Sequence, residues 1–166
     1  MYRLLYAILF FLVIGCSGDV HKLPEEYKPL ERIKESALRS EGYVTTVGDT
    51  LYVHDLKDWL EVHVPGSPKY KATLLHEQQH SIRQKNEGLA KWIARYGFDT
   101  DFMWEEEQSG WYYEIITLKQ WGLNPSPEAT AKSLSNYKNL SGRMVSYNDA
   151  LLWVRAVLNG QWKPPQ

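Results

Sequence analysis

The chain has 166 residues, a length that suits one domain with a real apolar core. Its 19 basic and 20 acidic residues give a net charge of -1 with no basic run, which argues against a nucleic-acid-binding protein. The 7 Trp and 11 Tyr admit a sugar or peptide platform, but core and groove packing is the commoner use of such side chains.

At the amino terminus Arg3 precedes an unbroken apolar run from Leu4 to Ile14. The run is too short to span a bilayer, which takes about 20 residues, and has the length of a signal-peptide h-region. It ends at Val13-Ile14-Gly15-Cys16, which resembles the bacterial lipobox. The resemblance implies that residues 1–15 are a lipoprotein signal peptide and that Cys16 is lipidated. Cys16 is the only cysteine, so it has no internal disulfide partner. Acylation would hold the protein on a membrane, at about 0.8 kcal/mol per buried CH₂. Ser17, rather than Asp, follows the cysteine. In lipoproteins that implies a place in the cell envelope, at the outer membrane facing the periplasm. An ordinary signal peptide with an incidental cysteine is the plainer alternative.

Residues 16–28 are mostly polar and read as a tether, leaving residues 29–166 as the single folded domain. Leu30, Ile33, Ala37 and Leu38 form a stripe that predicts a helix from Pro29 to Ser40. Two β-prone runs, Tyr43–Val47 and Thr50–His54, flank Gly48-Asp49 and predict a hairpin with a II′-like turn. A short helical turn follows at Asp55–Trp59. Leu60–Val64 alternates apolar and polar residues, as a half-buried strand does. Ser67 then caps a helix with Pro68 at its first position, and Gly88 stops it. Further helices are expected at Glu87–Tyr96, at Asp101–Trp121 with Thr100 as its cap, from Pro127 behind Ser126, and at Tyr147–Leu158 behind a Ser146/Asp149 capping box. The expected class is α+β: mostly helical, with a small antiparallel sheet before the long helix.

That long helix carries His76-Glu77-Gln78-Gln79-His80, an H-E-x-x-H pattern. Histidines four residues apart share a helical face, about 6 Å between Cβ atoms, so both imidazoles can reach one metal ion. Glu77 projects beside the same site, where a carboxylate can take a proton from water on the metal. Chance matches to three fixed letters occur, but Ala72, Leu74, Leu75 and Ile82 make the helix amphipathic and half-buried. The order of a small sheet followed by this helix resembles the zincin metallopeptidases. In that family an edge strand pairs with an extended substrate, and residues 60–64 are the candidate edge here.

A third ligand is needed. Arg83 and Asn86 stand where the metzincin pattern has glycine and histidine, so that extension is absent. The gluzincin pattern takes a glutamate from a later helix. Glu107-Gln108-Ser109-Gly110-Trp111 looks like that pattern, with Gly110 permitting close helix approach and Glu107, Gly110, Trp111 and Glu114 on one face. Glu106 is the second choice, Asp99 and Asp101 the alternatives after it, and Glu114 a candidate acceptor behind a histidine. The resemblance to gluzincin-like zinc metallopeptidases covers about residues 43–121. It implies one Zn²⁺ on His76, His80 and Glu107, with Glu77 as general base. Tyr96, Tyr112, Tyr113 and His63 are unranked candidates for oxyanion donor.

The expected function is thus zinc-dependent hydrolysis of peptide bonds in an envelope substrate. The alternatives are a non-catalytic lipoprotein that binds a partner or an envelope polymer, and a toxin-like or immunity-like lipoprotein. Structural zinc sites usually include cysteines, and Cys16 is unavailable for that, which favours an open, catalytic site.

Overall fold

A computed structural model describes residues 18–36 and 43–165. The signal peptide and Cys16 expected from the sequence lie outside the described residues. The molecule is mixed α+β. Its elements are β1 Val20–Lys22, β2 Arg32–Glu35, β3 Thr45–Val47, β4 Thr50–Val53, α1 Leu56–Val62, α2 Pro68–Glu87, α3 Leu89–Phe98, α4 Thr100–Gln120, α5 Pro127–Leu134, β5 Lys138–Asn139, β6 Gly142–Arg143 and α6 Tyr147–Leu158.

The helix with the two histidines, α2, begins where local chemistry says it should. The Ser67 side chain accepts from the Tyr70 amide and Pro68 needs no donor in the first turn. It ends at Gly88, whose φ of 91° is open to glycine at little cost. The caps of α5 and α6 are also as expected, with Ser126 and Ser146 accepting from Ala129 and Asp149. For α4 the cap is Asp99, not Thr100. Its carboxylate accepts from the amides of Asp101 and Phe102, which puts Thr100 in the first turn. Gly97 lies within α3 rather than ending it.

The hairpin forms as read: β3 and β4 are antiparallel, with Val47 opposite Thr50. Gly48 has a φ of 59° and no described non-glycine residue has a positive φ, which is the II′ combination. Other strand expectations fail. The helix expected at 29–40 is β2 over residues 32–35, because Leu30 and Ile33 are both buried through the sheet rather than along a helical stripe; Ala37–Gly42 lie outside the described residues. The tether is also shorter than expected. β1 pairs with β2, Tyr27 is buried, and Gln78 of α2 donates to the carbonyls of Glu26 and Lys28. The strand expected at 60–64 is mostly α1. The alternation there faces nothing, since Val62 and Val64 are 57% and 54% exposed, while Leu56 and Trp59 carry the buried face. Nor is the sheet wholly antiparallel: its order is β1-β2-β4-β3, and β2 runs parallel to β4.

Two apolar cores result. Tyr27, Leu30, Ile33, Leu51, Val53, Leu56, Trp59, Tyr70 and Leu74 join the sheet to α1 and α2. Met103, Ile115, Leu134, Trp153, Val154 and Val157 join α4 to α5 and α6. Each fully buried Leu, Ile or Val contributes about 1.5–3 kcal/mol. Helices α2 and α4 pack along each other between the two cores, and the polar cluster sits at their seam.

Candidate metal centre

Three side chains converge across the α2–α4 seam. His76 and His80 come from one face of α2 and Glu107 from the facing side of α4. Their exposures are 5%, 7% and 2%, so the group is buried. His76 Nε2 and His80 Nε2 are 3.2 Å apart. Glu107 Oε2 lies 3.7 Å from the first nitrogen and Oε1 lies 3.6 Å from the second.

This set fits a metal ion. Two nitrogens about 2.0–2.1 Å from one tetrahedral zinc are roughly 3.3 Å apart, close to the 3.2 Å seen here. Glu107 Oε2 is buried without a hydrogen-bond partner, an arrangement that costs free energy unless something positive meets it. Charge agrees. Glu77, Glu106, Glu107 and Glu114 surround the histidines, and among the described residues Arg83 is the one guanidinium in hydrogen-bond contact with these carboxylates. A divalent cation offsets much of that negative charge.

Small residues and aromatic walls set the geometry. A Cβ on Gly110 would stand 2.4 Å from His76 Cδ2 and 2.6 Å from Nε2, so only glycine leaves room for that ring. Trp111 meets His76 edge-on at 5.5 Å, and Trp92 meets His80 at 5.9 Å. The expectation that Glu107, Gly110, Trp111 and Glu114 share a face holds, and all four surround His76.

Each histidine has a carboxylate behind its Nδ1. Glu114 Oε2 is 2.9 Å from His76 Nδ1, the role the sequence suggested for it. Glu106 Oε2 is 3.8 Å from His80 Nδ1, and its other oxygen is held by Arg83 Nε. Glu106, the second choice for a ligand, therefore stands behind His80 rather than with the ligand atoms. Burial tends to raise the Glu106 pKa, but His80 and the Arg83 guanidinium hold it below the usual carboxylate range. For His76, burial favours the neutral ring. The Glu114 hydrogen bond and the nearby charges of Glu77, Glu114 and Glu107 outweigh it and push the pKa up to about 9.

Glu77 is 6% exposed and accepts from Thr46 Oγ1 at 2.8 Å. Thr46 belongs to β3, the sheet edge against α2. The same strand is fastened by Gln84, whose side chain donates to Thr46 O (2.9 Å) and accepts from Gly48 N (2.7 Å). Ser81 Oγ donates to Gly48 O at 2.5 Å. Glu77, Ser81 and Gln84 lie four and seven residues along α2, so one helical face grips the hairpin. The edge beside the site is thus β3, not residues 60–64, and part of its backbone is already engaged.

The remaining candidates separate clearly. Tyr96 donates to Glu107 Oε1 and lies against His80 at 6.4 Å. Burial, then the charge of Glu107, pushes its hydroxyl well above its usual pKa. Tyr112 packs on Trp162 at 5.7 Å and Tyr113 is exposed. His63 stacks on Trp59 at 4.2 Å, and burial lowers its pKa. Asp99 is engaged as the α4 cap, while Asp101 and Glu105 face solvent. Thr46, Trp92 and Tyr137 went unrecognised in the sequence. Burial raises the Tyr137 pKa well above its usual value, helped by the charges of Glu107, Glu77 and Glu114. Only Trp92 left a signal, four residues before Tyr96 on one helical face.

No protein-family model, no curated protein and no solved structure matches the chain.

Proposed function

We propose that this protein is a zinc-dependent peptidase of the bacterial cell envelope, held at the membrane through lipidated Cys16, with a zincin-like fold. The observation that carries the reading is the buried meeting of His76, His80 and Glu107 with Glu77 one residue from a ligand on the same helix. His76, His80 and Glu107 would hold the ion. When bound, zinc lowers the pKa of a water to about 7 and polarises a carbonyl. Glu77 is the general base, and Thr46 holds its Oε2 so that the carboxylate cannot swing away. Glu114 keeps the His76 proton on Nδ1, which turns Nε2 towards the ion. Tyr96 steadies Glu107 by its hydroxyl. The substrate is a peptide or protein in the envelope.

The near-complete burial of the three ligands favours one second reading, a non-catalytic envelope lipoprotein whose metal is structural. Metal content and hydrolysis separate the two. Protein beginning at residue 16 and purified without chelator should carry about one zinc per chain, lost in His80→Ala and in Glu107→Ala. Peptide hydrolysis that disappears in Glu77→Gln while zinc stays supports the peptidase. Zinc without hydrolysis of any peptide in a broad library supports the structural metal. A zinc-free parent, even after reconstitution, refutes both.

A further inference from the structure

Glu106 is completely buried, yet it is not among the three ligand residues. Arg83 Nε takes its Oε1. Its Oε2 has no hydrogen-bond partner, and neither does His80 Nδ1, 3.8 Å away. Two buried polar atoms without partners therefore face each other, one able to donate and one able to accept. Such pairs are rare in folded proteins because a buried polar atom without a partner has lost its water and gained nothing in return.

The tautomer of His80 explains the arrangement. A neutral imidazole has one proton for two nitrogens, and only the form with that proton on Nδ1 presents a lone pair at Nε2. Without metal, Nε2 of His80 lies at hydrogen-bond distance from Nε2 of His76, so one of the two rings donates there. Glu114 already engages Nδ1 of His76. His80 needs an acceptor of its own, and Glu106 is the carboxylate placed to supply it. Arg83 comes from α2, three residues beyond His80, and its guanidinium neutralises the carboxylate from a partly exposed position.

We propose that Glu106, paired with Arg83, is the positioning residue for His80: it accepts a hydrogen bond from Nδ1–H and so fixes the Nε2 lone pair on the metal. This role rests on the metal-site reading above. It also gives Arg83, which breaks the metzincin pattern, a function in this chain. Helix α4 then provides one ligand and both histidine acceptors.

The test uses zinc affinity, measured by competition with a chromophoric chelator, and a crystal structure of the zinc-loaded protein. Glu106→Gln keeps an acceptor but loses the charge. The double variant Arg83→Met/Glu106→Leu removes the pair together, which avoids leaving one buried charge alone and preserves folding, checked by circular dichroism and thermal melting. Loss of such an acceptor weakens metal binding by about 10–100-fold. The double variant should show that loss and Glu106→Gln a smaller one. In the zinc-loaded crystal the Nδ1–Oε2 separation should close to about 3.2 Å or less. A folded double variant that binds zinc as tightly as the parent overturns the role. So does a crystal in which Glu106 itself ligates zinc, or a double variant that binds no zinc at all. A parent that takes no zinc refutes the metal site itself, and this role falls with it; a zinc-binding parent matched by its double variant refutes Glu106 alone.

Discussion

Gly110→Ala tests the site at its tightest point. The added methyl would stand 2.4 Å from His76 Cδ2 and 2.6 Å from Nε2, a full ångström inside contact distance. The ring has little room to retreat, since Glu114 holds Nδ1 at 2.9 Å and Trp111 abuts it edge-on. Two effects oppose. Replacing glycine by alanine within a helix stabilises by about 0.5–1 kcal/mol. Overpacking a buried site costs about 1–3 kcal/mol, so the net expectation is destabilisation of about 1–2 kcal/mol. The metal responds more sharply, because ligand distances tolerate only about 0.2 Å. Zinc affinity should fall by at least the 10–100-fold seen when a histidine is mis-oriented. Gly97→Ala is the control. It is also helical and has nothing within 4 Å of the added carbon, so it should leave zinc unchanged and alter stability by no more than about 1 kcal/mol, in the favourable direction. The assays are urea unfolding and chelator competition. If Gly110→Ala binds zinc like the parent, His76 does not pack against α4 and the site geometry is wrong.

Other outcomes follow from the same geometry. Glu77→Gln should retain zinc while peptide hydrolysis falls by about 10²–10⁴-fold, the usual share of a general base; full activity would remove Glu77 from that role. Thr46→Val is nearly isosteric and strips the donor from Glu77, so urea unfolding should show a loss of about 1.5–3 kcal/mol, the value of a buried hydrogen bond to a charged group; an unchanged midpoint would contradict the contact. The raised His76 pKa gives the metal-free protein a stability term that is complete below the unfolded value near 6.5 and disappears as pH rises through about 9. Zinc must displace that proton at neutral pH, so its apparent affinity should climb from pH 7 to about 9 with proton release visible in calorimetry; pH-independent affinity would show that His76 is neutral.

The helical part of the fold was legible because its signals are local. Ser67-Pro68, Ser126-Pro127 and Ser146 with Asp149 mark helix starts through bonds within three residues. The hairpin was legible for the same reason, since Gly48 alone decides its turn. What failed depends on distant partners. Leu30 and Ile33 are three apart, a spacing that fits one helical face, but β2 is a strand because β1 and β4 hydrogen-bond it on both sides. Leu60–Val64 alternates without any partner strand to give the alternation meaning, and the Asp55 cap wins locally by accepting from the Asp58 amide. The choice between Glu106 and Glu107 turns on the rotation of α4. Both are buried and both are engaged, Glu106 by Arg83, one turn beyond His80, and Glu107 by Tyr96.

The three-letter motif is therefore the smaller part of the site. His76 and His80 on an isolated helix would meet water and could turn freely. Here α2 is held on one side by the sheet core and grips β3 through Ser81 and Gln84. On the other side it faces α4, which is fixed by the second core. The carboxylates that α4 places in that seam, two buried and Glu114 half-buried, are tolerable there because they meet imidazole, guanidinium and phenol groups at defined atoms. Of the buried atoms without a partner, which include the indole nitrogens of Trp92 and Trp111, two are set against each other: His80 Nδ1 and Glu106 Oε2. A third, Glu107 Oε2, points into the ligand group. A divalent ion would satisfy the third directly and the first two by turning His80, so metal binding and closure of the seam should be one cooperative event. Zinc in excess should then raise the melting temperature with a dependence on concentration that follows the dissociation constant, about 4 kcal/mol at a thousandfold excess over it, and hydrogen exchange should slow in α2 and α4 before it slows in α6.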